Sequence, residues 1–170
     1  MSEMKENDSR VLFAPGSITP PQDPPLIVAD GLRTPENIGS LIRLAANIGI
    51  RKVILLNSPE LKESKMRKTA CMAWDYVELV RTTLGELDLP EGYEMVAVET
   101  TPTARSIYEK ALPRKVALVL GSEVHGVSAE VLSMCKEHVF IPMTGPDTSM
   151  NVTHAAAVAL FEWVREWTQQ

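Results

Sequence analysis

From Leu26 onward the chain alternates short runs of Val, Ile and Leu with longer stretches whose apolar residues recur every three or four positions. Few architectures accommodate that alternation. Strands are predicted at 26–29, 52–56, 76–80, 95–99, 116–120 and 138–141, several of them apolar on both faces, as strands buried inside a parallel sheet are. Helices are predicted between them at 35–48, 61–72, 128–136 and 152–167. The pattern points to an α/β fold, a mostly parallel sheet with helices on both faces. Ligands in such folds sit beyond the carboxyl ends of the strands.

A length of 170 residues suits one ordinary domain. Composition fits, with 45% hydrophobic and 23% charged residues and no apolar run long enough for a membrane span. Residues 1–24 are Pro-rich and polar, an N-terminal extension ahead of a domain at 25–170, with Val11-Leu12-Phe13 as a segment that can dock on it. Residues 1–10 lack the apolar core of a signal peptide, and Cys71 and Cys135 are isolated and without metal-ligand spacing. The expectation is a cytoplasmic protein that needs no metal and touches no membrane.

The formal net charge of −5 speaks against a nucleic-acid partner, because phosphate neutralisation dominates such binding. Placement matters more than the sum. Positive residues cluster at Arg51-Lys52 and at Lys62, Lys65, Arg67 and Lys68, whereas acidic ones gather around 86–94 and in the terminal segments. Either a local basic face or an ordinary solvated helix surface accounts for the cluster.

Three blocks carry candidate chemistry. In the first, Thr34 can cap a helix that begins at Pro35, Ile38, Leu41, Ile42 and Ala45 form its buried stripe, and Gly49 ends it. Gly39 lies inside that helix at a cost of about 1 kcal/mol relative to alanine. Arg43 follows one turn later, and the amide of Asn37 in the first turn can bond backbone or a neighbouring loop. A bare backbone beside a guanidinium is a seat for phosphate or ribose, although a close helix–helix contact at Gly39 with an exposed Arg43 explains the same residues.

The second block follows the strand at 116–120 and reads Gly121-Ser122-Glu123-Val124-His125-Gly126. Its two glycines permit a tight turn and close approach of backbone to a ligand. It is neither a P-loop nor a dinucleotide fingerprint. Glu123 would repel phosphate but can accept from hydroxyls or attract a cation. His125 is a candidate acid–base group or simply a surface residue.

The third block runs from Ile141-Pro142-Met143 through a polar loop to Ser149-Met150-Asn151, where Asn151 is a natural N-cap. Ile141, Met143 and Met150 could pack against a flat, partly apolar ligand such as adenine. On the final helix Val152, Ala155, Ala156, Ala159, Leu160, Trp163 and Trp167 make a wide apolar stripe, suited to packing within the chain or to a symmetric dimer.

In this order, Asn37–Arg43, Gly121–Gly126 and Ile141–Val152 resemble the signature blocks of the SpoU (TrmH-like) branch of the SPOUT RNA 2′-O-ribose methyltransferases, a likeness that extends from about Leu26 to Trp167. The resemblance implies a C-terminal trefoil knot, an exception to the rule against threaded chains. It implies S-adenosylmethionine held by Thr100, Leu120, Gly121, Ile141, Met143, Ser149 and Met150. It also implies a homodimer with its site near the subunit interface, and an RNA substrate, with tRNA slightly favoured over rRNA. The catalytic set it implies is Arg43, Asn37, Glu123, Ser149 and Asn151. The arginine matching Arg43 is the family's usual activator of the ribose hydroxyl, but a guanidinium is essentially never deprotonated. Arg43 is therefore expected to hold the adjacent phosphate and stabilise charge, while a phosphate oxygen or water takes the proton. Two rivals stand beside this reading, a nucleotide- or phosphate-binding α/β enzyme built on the Gly121–Gly126 loop and a non-enzymatic RNA-binding module.

Overall fold

The computed structural model describes residues 21–168. In chain order these form β1 (Leu26–Asp30), α1 (Pro35–Ile48), β2 (Lys52–Leu56), α2 (Glu63–Ala70), a 3-10 turn at Cys71–Asp75, β3 (Glu78–Thr82), a second 3-10 turn at Leu84–Glu86, β4 (Glu94–Val98), β5 (Arg105–Ser106), β6 (Val116–Leu120), α3 (Ala129–Met134), β7 (Glu137–Phe140) and α4 (Val152–Thr168). The strands make one seven-stranded sheet in the order β3-β2-β1-β6-β4-β7-β5. Every pairing is parallel, so the sheet is more uniform than the mostly parallel arrangement expected.

Alternation along each strand sends neighbouring residues to opposite faces, and both faces are covered. Ile27, Ala29, Val53, Leu55, Leu118 and Leu120 pack with Ile38, Leu41, Ile42 and Ala45 of α1, Met66 of α2, and Ala156, Leu160 and Trp163 of α4. Val28, Ile54, Leu56, Met95, Ala97 and Val119 face the other way, toward Val127 and Val131, with Leu84 and Leu132 alongside. The α4 stripe is thus spent largely inside the chain. Its fully buried Trp163 donates from Nε1 to the carbonyls of Pro113 and Arg114, each at 3.1 Å, and Trp167 Nε1 donates to Leu112 O at 2.9 Å. These bonds latch α4 to the segment that enters β6.

Four expectations change. The third strand starts at Glu78, because Tyr76 leaves the 3-10 turn in a helical conformation. The second helix is shorter than 61–72, starting at Glu63 and giving way to that 3-10 segment at Cys71, whose φ is 53°. The third is trimmed at both ends to α3. β5 was not expected at all: two polar residues carry no apolar signature, and only pairing with β7 makes them a strand. Thr34 occupies the cap position of α1 but makes no side-chain cap bond, whereas Gly49 ends the helix as expected, with φ 84° and its N–H on Ala45 O and Ala46 O.

Of the N-terminal extension, Pro24 O accepts from Tyr93 Oη at 2.7 Å, while Val11-Leu12-Phe13 lies outside the described residues. No helix among the described residues is long and apolar enough to cross a membrane.

Candidate functional site

A cavity of about 460 Å³ opens beyond the carboxyl ends of β4, β6 and β7. Its walls are Val98, Glu99 and Thr100 at the end of β4, Leu120 to Glu123 with Gly126 at the end of β6, Phe140, Ile141 and Met143 at the end of β7, and Thr148 to Val152 with Ala155 around the start of α4. All seven residues expected to hold a cofactor line this one space. Met143 and Met150 remain 36% and 37% exposed there. Apolar side chains left open at the mouth of a concave site suit a partly apolar ligand.

The glycine loop is tight. Ser122 and Gly126 exchange both backbone bonds, Ser122 N–H to Gly126 O at 2.9 Å and Gly126 N–H to Ser122 O at 3.0 Å. A side chain at Gly121 would run into the backbone of Gly126 and Val127, and Gly126 has φ 67° with the Glu99 carboxylate against it. Here glycine is required twice, once for space and once for the left-handed backbone.

Glu99 is a wall residue that the sequence reading missed. Its Oε1 accepts from Thr100 N–H at 3.0 Å and its Oε2 from Val127 N–H at 3.0 Å, so one carboxylate ties the end of β4 to the loop after β6. The only sequence signal is an acidic residue at the end of an apolar strand. Buried Asp30, at the end of β1, does the parallel job for α3 by accepting from Ser128 N–H at 2.8 Å.

Asn37, Glu123 and Asn151, each from a different block, form one relay. Asn37 Nδ2 donates to Glu123 Oε1 at 2.9 Å, and Asn151 Nδ2 approaches Asn37 Oδ1 at 3.4 Å. Asn151 Oδ1 in turn accepts from Thr153 N–H at 2.8 Å and Thr153 Oγ1 at 2.6 Å, and Asn151 O accepts from Ala155 N–H, which is the N-cap expected of it. Glu123 also accepts from Arg33 N–H at 3.2 Å and Thr34 N–H at 3.1 Å. Partial burial pushes its carboxyl upward, but the hydrogen bonds from Asn37, from its own backbone and from Thr34 and Arg33 outweigh that and hold it below the usual carboxylate range. Glu123 is thus an ionised tie between loops, with its oxygens already engaged. Ser149 turns its hydroxyl onto Asp147 Oδ1 at 3.2 Å, which also accepts Ser149 N–H at 3.0 Å.

Of the two readings of Gly39, the structure selects the close helix contact over a ligand seat. Gly39 is buried, and a Cβ there would sit 2.5 Å from Met66 O and 2.7 Å from Thr69 Cβ. The missing side chain lets α2 lie against α1, so the close helix contact is the correct explanation. Arg43 is exposed and absent from the cavity wall. Six residues beyond Asn37, it lies about 9 Å further along the helix and roughly 120° around it. Within one chain, then, Arg43 stands apart from the other four candidate catalytic residues. His125 is exposed, with its backbone N–H on Ser122 Oγ at 3.1 Å.

Among the described residues the cavity wall carries two carboxylates, Glu99 and Glu123, and neither lysine nor arginine. It favours a cation and disfavours a string of phosphates. Among the described residues no cluster of His, Cys, Asp and Glu could hold a metal ion. Burial, then Asp30, pushes the Cys135 thiol up to about 11, so it stays protonated and weakly nucleophilic at neutral pH.

Known proteins resemble this chain over most of its length. The 23S rRNA (guanosine-2′-O-)-methyltransferase of Haemophilus influenzae is 35% identical over 96% of this chain and 67% of its own length. A solved structure described as giving structural insights into the 2-OH methylation of C/U34 on tRNA superposes with a TM-score of 0.75 at 28% identity, over 84% of this chain and 95% of that one. The fold is also that of the SpoU methyltransferase AviRb from Streptomyces viridochromogenes, with a TM-score of 0.77 at 22% identity over 96% of this chain and 65% of that chain. The chain thus spans about two thirds of the length of the first and third of these relatives. The model of the SpoU rRNA methylase family matches residues 24–161. This chain belongs to the SpoU rRNA methylase family.

Proposed function

We propose that the protein transfers a methyl group from S-adenosylmethionine to a ribose 2′-hydroxyl of RNA, with residues 25–170 as the catalytic domain. The observation that carries this is the charge of the cavity: Glu99 and Glu123 in the wall, no cationic side chain among the described residues, and the apolar surfaces of Leu120, Ile141, Met143 and Met150. A cofactor with a positive sulfonium and a flat adenine fits such a wall. NAD or ATP, with clustered phosphates, fits it poorly, which counts against the nucleotide-binding rival.

When bound, S-adenosylmethionine supplies an electrophilic methyl already activated on sulfur. The chain's own residues position and exclude water. Met143 and Met150 would cover the apolar part of the ligand, and backbone groups of Thr100, Gly121 and the 148–150 stretch, which line the same cavity, would read its polar edges. Asn37, Glu123 and Asn151 fix the walls relative to one another, so the ribose hydroxyl meets a preset geometry. Arg43 stays protonated and holds the phosphate next to the reacting ribose, stabilising charge while a phosphate oxygen or water accepts the proton.

Arg43 lies outside the cavity wall of its own chain, and this supports a homodimer in which Arg43 of one copy reaches the substrate held by the other. The exposed Phe161 on α4 and Val124 at the tip of the glycine loop are apolar surface available for that contact. The trefoil knot of the family belongs to the same reading, as does a cytoplasmic location. For the substrate, the relatives' names favour 23S rRNA, and tRNA is the alternative offered by the tRNA-methylation structure. Calorimetry with S-adenosylhomocysteine, ATP and NAD tests the cofactor, and labelled S-adenosylmethionine incubated with rRNA and tRNA tests the transfer. Binding of ATP or NAD in place of S-adenosylhomocysteine sinks the proposal. Binding of S-adenosylhomocysteine without incorporation into any RNA leaves only a non-catalytic module.

A further inference from the structure

The positive charge of this acidic protein is concentrated in one stretch. Between Arg33 and Lys68 lie eight basic and three acidic residues, a local excess of five positive charges in a chain of net charge −5. Pairing is just as uneven. In the rest of the described chain Arg81 bonds Pro59 O, and Arg105, Lys110, Lys115, Lys136 and Arg165 each have a carboxylate partner, with Arg114 the exception. Inside the stretch only Lys65 and Arg67 are ion-paired, to Glu36 and to Glu63 and Asp75. Arg33, Arg43, Arg51, Lys52, Lys62 and Lys68 have no carboxylate within 4.0 Å among the described residues.

Topology sets these cations along one layer. Arg33 precedes α1 at the cavity, with its N–H on Glu123. Arg43 is on the exposed side of α1, and Lys62 and Lys68 are exposed at the start and near the end of α2, which packs against α1 at Gly39. Arg51, at the far end of α1, lays its guanidinium over the ring of Tyr76 at 3.9 Å. A helix of 14 residues is about 21 Å long, so the track runs that far from the cavity edge to Tyr76. Half-exposed Trp74, with Arg67 5.3 Å from its ring centre, and Tyr76 add aromatic surface at that end. Cations without a carboxylate partner, interleaved with part-exposed aromatic rings, are the pattern that binds looped or single-stranded RNA, phosphates on the charges and bases on the rings.

We infer that the outer layer of α1, α2 and the Cys71–Tyr76 turn is an RNA-docking track that grips the substrate at a distance from the cavity. The inference rests on the proposed RNA substrate but not on methyl transfer itself. Its test is the variant Arg51→Ala/Lys62→Ala/Lys68→Ala, three sites outside the cavity and outside the catalytic set. Filter binding with labelled bulk 23S rRNA and bulk tRNA is read across a salt series, and S-adenosylhomocysteine affinity is read separately by calorimetry. We expect at least tenfold weaker RNA binding and a salt slope shallower by about 2 to 3. S-adenosylhomocysteine affinity should be unchanged, and the charge-preserving Arg51→Lys/Lys62→Arg/Lys68→Arg variant should keep most of the RNA affinity. Unchanged RNA affinity and slope in the alanine variant overturn the track, whether or not the wild type methylates RNA. So does equal loss in the charge-preserving variant, or wild-type protein that binds neither RNA.

Discussion

Asn37 stands with its amide nitrogen 2.9 Å from Glu123 Oε1 and its amide oxygen facing Asn151, so the start of α1 is tied to the glycine loop and to the start of α4. Removing the amide should cost about 1 kcal/mol, an ordinary hydrogen bond to a partly solvated charge. Asn37→Asp should cost more at pH 7, because it sets a second carboxylate against Glu123. Lowering the pH protonates one of that pair and relieves the repulsion. In the wild type the sign is opposite: Glu123 is held below its ordinary range, so its contribution is present above the unfolded carboxylate pKa and disappears as pH falls through the lower, folded value. Urea denaturation of both proteins at several pH values checks this, and parallel pH profiles would refute it.

Gly39→Ala offers a contest between two effects. Helix propensity alone would stabilise α1 by about 1 kcal/mol. The added Cβ instead meets Met66 O at 2.5 Å, a backbone atom that moves only with α2. Crowding should win, with a net loss of about 1–3 kcal/mol. Chemical denaturation decides it, and a gain in stability would mean that α2 shifts freely.

Arg43 should separate binding from turnover. Arg43→Ala and Arg43→Lys should both retain S-adenosylhomocysteine affinity, since Arg43 is outside the cavity wall. Methyl transfer should fall by about 100-fold or more in the alanine variant, the scale of losing one charge-stabilising donor. Lysine keeps the charge but loses the planar fork, so it should recover only part of the rate. Near wild-type turnover in both would remove Arg43 from the mechanism.

Glu137 should make the far edge of the sheet acid-sensitive. Its Oε2 accepts from Arg105 Nε at 3.1 Å and Nη2 at 2.8 Å, and its Oε1 from Lys110 Nζ at 2.9 Å, which pins β5 beside β7. Lys110 and then Arg105 hold its carboxyl below the ordinary range, against a smaller upward push from burial. Stability from this group is therefore full above the unfolded pKa and lost as pH drops through the folded one. Glu137→Gln should lower the denaturation midpoint at neutral pH and flatten its acid dependence. A variant as acid-sensitive as the wild type would assign that sensitivity elsewhere.

Much of this was legible because it follows from periodicity. The bounds of α1 were readable from Pro35, the apolar stripe and Gly49, and β2 and β6 from uninterrupted apolar runs. Seven of the residues that line the cavity were expected from the resemblance of the three blocks to the SpoU family. What escaped depends on contacts between distant residues. β5 exists only through β7, Glu99 matters only because Val127 comes back to it, and Gly39 stood open between a ligand seat and a helix contact until α2 filled the space. Arg43 was grouped with Asn37 by the family resemblance, and six residues along a helix place it on a different face within one chain.

The reciprocal pair between Ser122 and Gly126 also restricts how this chain can vary in length. A loop closed on itself at both ends, with a side chain excluded at Gly121 and Glu99 seated against Gly126, has no slack for an inserted or deleted residue. One more residue would break both Ser122–Gly126 bonds and carry Glu123 away from Asn37. The turn between β2 and α2 bears no such closure among the described residues. Spliced loops, tags or grafted domains belong there, and the six-residue stretch from Gly121 to Gly126 must keep its count.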